Sequence, residues 1–135
     1  MSELVLDASA AIVWLLGEND TLARRVAVLA ADSILLVPAI WHAEMANALL
    51  QAQRRRRISP AHVRQALALI VELEIETDYP VPDAERTVAI ARDSGLTAYD
   101  ALYLELAVRK RRPLGTNDAA LASAARKSGV KLAFD

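Results

Sequence analysis

The stretch LVLDASAAIVWLL, Leu4–Leu16, decides the fold. It opens with three apolar strand formers, places one aspartate at Asp7, and continues as small and apolar residues in a helical pattern. A short apolar run followed at once by a helix is the first half of a βα unit with a parallel, fully covered strand. Asp7 then stands at the carboxyl end of that strand. In open α/β sheets that is where ligands bind.

The same alternation recurs along the chain. Ile34–Val37 is a second apolar run, closed by Pro38, and a long helical pattern follows from about Ala39 to Arg57. Ser59–Pro60 reads as an N-cap and a proline at the first helical position, starting a helix that runs to about Leu73. Ile75–Thr77 is a third strand, and Asp83–Ser94 a helix stopped by Gly95. Thr97 opens another helix, ending near Arg111. Pro113–Gly115 reads as a strand, Asn117–Ser128 as a helix, and Lys131–Phe134 as a last strand. Thr21–Ala31 adds a helix before the second strand. Strands alternating with helices predict an α/β fold, a three-layer α/β/α sandwich around a parallel sheet of about five strands.

The 135 residues suit a single domain spanning 1–135. Hydrophobic residues are 54% of the chain, but aromatics only 4%, so Ala, Leu, Val and Ile must pack the core. The net charge of −1 argues against a protein that coats nucleic acid by bulk charge. A polyanion would have to be held by a local patch or through metal. With no cysteine and only His42 and His62, neither thiolate nor histidine-rich metal sites are expected. No targeting segment is visible at the start, and no apolar run approaches a membrane span, so a cytoplasmic protein is expected.

Four acids occupy apolar or small-residue settings: Asp7, Glu44 in WHAEMANAL, Asp100 in LTAYDALYLELA and Asp118 in GTNDAALASAA. Each has an ordinary explanation. Asp7 suits an N-cap. Thr97 and Asp100 have the spacing of a capping box. Asp118 suits a first helical turn, and Glu44 a surface helix position. Asn117 is a fair N-cap. Together, however, all four fall toward one end of the sheet. Carboxylates crowded there repel one another unless a cation joins them. Oxygen-only donors suit Mg²⁺ or Mn²⁺. Such an ion would engage a phosphate oxygen and activate and orient a water for in-line attack. The chain offers no P-loop and no G-x-S-x-G elbow as an alternative engine.

Other acids read as solvated: Glu18, Asp20, Glu72, Glu74, Glu85 and Glu105 at helix ends or polar faces, Asp32 and Asp78 in loops. Trp14 and Trp41 read as packing residues and His42 as structural. Arg54, Arg55, Arg56 and Arg57 close a helix, where the dipole favours cations. They are also the candidate contacts for RNA phosphates. Arg109–Arg112 read the same way.

The segments VLDASAAIVWL (Val5–Leu15), VPAIWHAEMANAL (Val37–Leu49), LTAYDALYLELA (Leu96–Ala107) and PLGTNDAALASAA (Pro113–Ala125) resemble the PIN-domain ribonucleases, in particular the VapC-type toxins of toxin–antitoxin pairs. The resemblance implies an α/β/α sandwich and a divalent-metal endoribonuclease leaving 5′-phosphate and 3′-hydroxyl ends. It carries catalytic and metal-holding roles onto Asp7, Glu44, Asp100 and Asp118. It gives supporting roles to Thr116, as a hydroxyl positioning water or Asp118, and to Ser9. It also implies an RNA substrate, a homodimer and a cognate antitoxin whose helix packs in an apolar groove, sought here beside the Trp14 helix and the Thr21–Ala31 helix. The competing reading is a non-catalytic metal-binding or protein-interaction module. A haloacid-dehalogenase-like phosphatase wants a second aspartate where Ser9 stands, and a receiver-like domain wants a lysine that is not evident.

Overall fold

A computed structural model describes residues 2–17, 20–80 and 82–134. The first strand, β1 (Ser2–Leu6), has Leu4, Val5 and Leu6 all buried. Successive strand residues face opposite sides, so β1 is covered on both faces. The same holds for β2 (Ser33–Pro38). Between them run α1 (Ala8–Leu16), ended by Gly17 in the left-handed conformation, and α2 (Asp20–Asp32).

From β2 the chain passes through α3 (Ile40–Arg54) and α4 (Pro60–Glu72) to the edge strand β3 (Ile75–Asp78). Ser59 caps α4 by accepting the His62 N–H, with Pro60 just inside, as expected. The chain then returns through α5 (Ala84–Ser94) and α6 (Ala98–Lys110) to β4 (Leu114–Gly115), followed by α7 (Ala119–Lys127). All pairings are parallel, and the strand order is β3-β2-β1-β4. The chain winds outward from β1 to β3 and comes back to lay β4 on the other side of β1. The order reverses between β1 and β4. A ligand crevice belongs beyond the carboxyl ends of strands at such a reversal.

The predicted fifth strand, Lys131–Phe134, shrinks to one bridge, Leu132 to Leu114. Leu114 donates to the Lys131 carbonyl and accepts from Ala133. β4 has only two residues to offer, because Pro113 before it has no N–H. Gly115 sits in a tight spot: a β-carbon would lie 3.1 Å from the side chains of both Leu6 and Phe134, which would have to give way.

Three local expectations change. Asp32 and Asp78 are not loop residues; they end α2 and β3. The helix expected to reach Arg57 stops at Arg54. Arg57 N–H returns to the Ala52 carbonyl and Arg56 N–H to Gln53, with Arg56 at φ 60°. That is a Schellman stop with arginine where glycine is usual. Glu105 is not solvated but buried, for reasons given below. Glu18 lies outside the described residues, as does the side chain of Asp20.

Trp41 is core, 1% exposed, and stands edge-on to His42; Trp14 is half-buried. Both histidines tie elements together. His42 bonds Thr77 at 2.9 Å, and His62 bonds the Leu15 carbonyl at 2.8 Å. Neither reaches the crevice. Among the described residues no helix is long and apolar enough to cross a membrane.

Candidate metal-binding active site

Asp7 follows β1 directly and caps α1, as its place in the sequence predicts. One carboxylate oxygen accepts the Ala10 N–H at 3.0 Å and the Ser9 hydroxyl at 2.7 Å. The other accepts the Thr116 hydroxyl at 2.5 Å. Asp7 is almost wholly buried. Burial raises its pKa to about 6, despite those three donors, and the charge of Asp100 adds to the rise. Every donor to Asp7 is neutral.

Ser9 and Thr116 stitch the two strand ends together. Ser9 Oγ accepts the Asn117 N–H at 3.0 Å, and Thr116 Oγ1 accepts the Asp118 N–H at 3.0 Å. Asp118 itself caps α7, accepting the Leu121 N–H at 2.8 Å. The cap expected at Asn117 therefore sits one residue later, because Asn117 is held by its backbone to Ser9.

Asp100 stands in the first turn of α6 and donates its backbone N–H to the capping Thr97 hydroxyl. Its carboxyl pKa is raised, first by burial and then by the charge of Asp118. Glu44 lies in the second turn of α3 and accepts the Tyr103 hydroxyl at 2.5 Å. Its pKa is also raised, by burial and then, against the Tyr103 bond, by Asp100. Burial and the adjacent Glu44 hold the Tyr103 phenol proton well above its usual range.

All four carboxylates line one cavity of about 310 Å³, with Ser9 and Tyr103 in its wall. Among the described residues the ion pairs lie elsewhere. Burial raises the pKa of Asp7, Glu44 and Asp100, and the charge of Asp100 adds to the rise at the first two. As placed, no three of them stand close enough to clasp an ion directly. Asp7 is occupied by Ser9, Thr116 and Ala10, Glu44 by Tyr103, and Asp118 by its cap. The donor set is all oxygen and anionic, which fits a hard divalent cation held in part through water.

Tyr103 was not singled out by the sequence as a site residue. Its signal is a phenol on an apolar helix face one turn beyond Asp100; a buried tyrosine hydroxyl needs a partner. Among the arginines, Arg55 and Arg57 line a second cavity, of about 300 Å³, while Arg54 and Arg56 do not. Arg109 and Arg112 are engaged within the protein, Arg109 by Glu105 and Asp78 and Arg112 by Glu3. That second cavity runs along α1 and is walled by α3.

A parallel sheet with four carboxylates gathered beyond the β1–β4 reversal defines a class: α/β domains with an acidic crevice at the switch point of the sheet. The PIN domain family model matches residues 4–127, and the chain belongs to the PIN domain family. It is 34% identical to Ribonuclease VapC1 of Mycobacterium tuberculosis over 124 residues, 92% of each protein, in two strains. Among solved structures it is similar to VapBC2 from Rickettsia felis bound to a promoter DNA fragment (TM-score 0.65, 15% identity, 96% of both chains). It is also similar to PAE2754 from Pyrobaculum aerophilum (TM-score 0.61, 21% identity, 91% of this chain and 84% of that one).

Proposed function

We propose that this chain is a divalent-metal-dependent endoribonuclease, the toxin of a toxin–antitoxin pair, with Asp7, Glu44, Asp100 and Asp118 as its catalytic and metal-holding residues. The observation that carries the reading is the convergence of these four carboxylates on one cavity with only neutral donors around them. The curated relatives named ribonucleases support the activity, and the VapBC2 neighbour supports an antitoxin partner. A homodimer is part of the same reading, and RNA as substrate places its work in the cytoplasm.

Mg²⁺ or Mn²⁺ bound here would polarise the phosphodiester and activate the attacking water. The protein's own residues set the stage. Thr116 and Ser9 fix both oxygens of Asp7, so that its carboxylate cannot turn away. Tyr103 does the same for one oxygen of Glu44 and leaves the other for the cavity. Asp100 and Asp118, half-buried at the mouth, stay accessible to ion and water. The raised pKa of Asp7 means that protons compete with the ion below about pH 6, so metal affinity should rise with pH through that range.

The competing reading has an observation of its own: Asp7 and Asp118 cap helices and Asp100 sits in a capping turn. Substitution by asparagine separates the two, because Asn caps about as well as Asp. Purified Asp7→Asn and Asp100→Asn proteins should fail to cleave total RNA with Mg²⁺ or Mn²⁺, under conditions where the unaltered protein cleaves and EDTA stops it. Cleavage at full rate by both variants would eliminate the nuclease site and leave caps.

A further inference from the structure

The hydroxyls in the wall of the carboxylate cavity are already committed to its acids. Ser9 donates to Asp7 and Tyr103 to Glu44. Apart from them and the four acids, the lining is Ala8, Ile12, Ala48 and Asn47. Asn47 lies on α3 one turn after Glu44, and it is exposed. Among the described residues its amide has no hydrogen-bond partner within the protein. It therefore keeps two N–H donors and a carbonyl acceptor. Asparagine is also a poor residue for a helix interior, because its side chain competes for the backbone. Here it makes no such bond, and it stands between Ala46 and Ala48, residues of the best helix-forming type. Nothing that Asn47 does for the fold requires an amide.

The chemistry of the cavity leaves a task for such a group. In the proposed reaction water attacks phosphorus, a new P–O bond forms, and the bond to the 3′-oxygen breaks. The proton that the water gives up balances the one that the 3′-oxygen takes up. The ribose 2′-hydroxyl has no part in this exchange, and the same attack would cut DNA. Four acids and a cation therefore do not by themselves make a ribonuclease. Selection for RNA needs a contact with the 2′-hydroxyl, which both donates and accepts. An ionised carboxylate can only accept, whereas a primary amide matches both functions. The 2′-hydroxyl beside the scissile bond sits on the carbon next to the one bearing the leaving oxygen, so its reader must stand within a turn or so of the acids. Asn47 does. Resting on the nuclease reading above, we infer that Asn47 hydrogen-bonds the 2′-hydroxyl of the nucleotide that carries the leaving 3′-oxygen, and so selects RNA over DNA.

The test compares two single-stranded oligonucleotides of one sequence. One is all RNA; the other has a single 2′-deoxy sugar on the nucleotide 5′ of the mapped cleavage point. The unaltered protein should cleave the all-RNA strand with kcat/KM about tenfold higher, the contribution of one hydrogen bond. Asn47→Ala should lose that factor on the all-RNA strand, cleave the deoxy strand as the unaltered protein does, and so show no preference. Its thermal midpoint without metal should rise by about 2 °C, since alanine replaces asparagine within a helix. Gln51→Ala is the control: it removes a similar amide one turn further on, from the second cavity and not from this one, and should keep the full preference. Equal losses by Asn47→Ala on both strands would move its contact to the phosphate and overturn the inference. So would an unaltered protein indifferent to the missing hydroxyl, a preference lost in Gln51→Ala but kept in Asn47→Ala, or a fall in the Asn47→Ala midpoint, which would make Asn47 a residue of the fold. Cleavage of neither strand by the unaltered protein would sink the nuclease itself, a result distinct from any of these.

Discussion

Asp7 and Glu105 are both buried carboxylates, yet they are compensated in opposite ways. Glu105, on α6, receives two bonds from Arg109, at 2.7 and 3.2 Å, and stands 3.8 Å from Arg86. Arg109 also forks onto Asp78 at the end of β3. The pair of acids holds the Arg109 proton above even its usual range. That cluster closes on itself and clamps α6 to β3. Asp7, between β1 and α1, has only hydroxyls and one backbone N–H as donors, and the charge of Asp100 acts on it. A buried acid with its own arginine serves the fold. A buried acid left with neutral donors and other acids has no opposite charge beside it among the described residues, which is why the proposed metal site centres there.

The largest effect should come from the Asp7 side. Asp100→Asn is expected to cut metal-dependent cleavage by about two orders of magnitude or more, while metal-free stability in urea stays equal or rises, because one repelling charge is gone. A variant that loses both together would blur the division between the two clusters.

Next comes the closed side. Arg109→Ala leaves a buried carboxylate without its main partner and should cost about 3 kcal/mol of unfolding free energy. Cleavage per folded molecule should hold within about twofold. If instead activity collapses at unchanged stability, the clamp belongs to the site.

The pH dependence of the metal-free protein sharpens the contrast. Asp7 titrates near 6 when folded, against 3.8 as the ordinary value. A carboxyl whose pKa is raised by folding stabilises most where it is protonated in both states, below about pH 4. That contribution is lost as pH climbs through 6, on the order of 2 to 3 kcal/mol in all. Asp7→Asn should flatten this part of the stability curve. Asn keeps an oxygen for Ala10 and Ser9, and Thr116 can turn its hydroxyl toward Ser9, 3.4 Å away. Saturating Mg²⁺ should remove the same slope from the unaltered protein, since an ion bound only to the native state stabilises it. An unaltered slope in Asp7→Asn would mean that another group titrates there.

The smallest change expected is a gain. Arg56→Gly relieves a left-handed arginine and should stabilise by about 1 kcal/mol. Arg56 lines neither of the two cavities, so RNA cleavage should be untouched; a loss would bring that guanidinium into the substrate's path.

The fold was largely legible because its strands announce themselves. Leu4–Leu6 and Ile34–Val37 are uninterrupted apolar runs, as doubly covered parallel strands must be. The convergence of the four acids was legible from their places, Asp7 and Asp118 just beyond strands and Glu44 and Asp100 in early helical turns, although two of them also cap helices. What the sequence hid depended on tertiary partners. Glu105 sits at a helical position that reads as polar surface until Arg109, one turn on, and Asp78, from another strand, converge on it. Arg56 looks like one more cation in a run, and only the backbone shows that the run bends. The last strand was overestimated because pairing length is set by the partner, and β4 offers two residues.

The bond from Thr116 to Asp7 joins positions separated by 109 residues. A ribosome making this chain emits Asp7, Glu44 and Asp100 long before Thr116 and Asp118. Until those last residues emerge and β4 pairs with β1, Asp7 has the Ser9 hydroxyl but lacks that of Thr116, and the cavity lacks one wall. A chain cut short before position 116 would lack both Thr116 and Asp118, and with them the means to close this cavity.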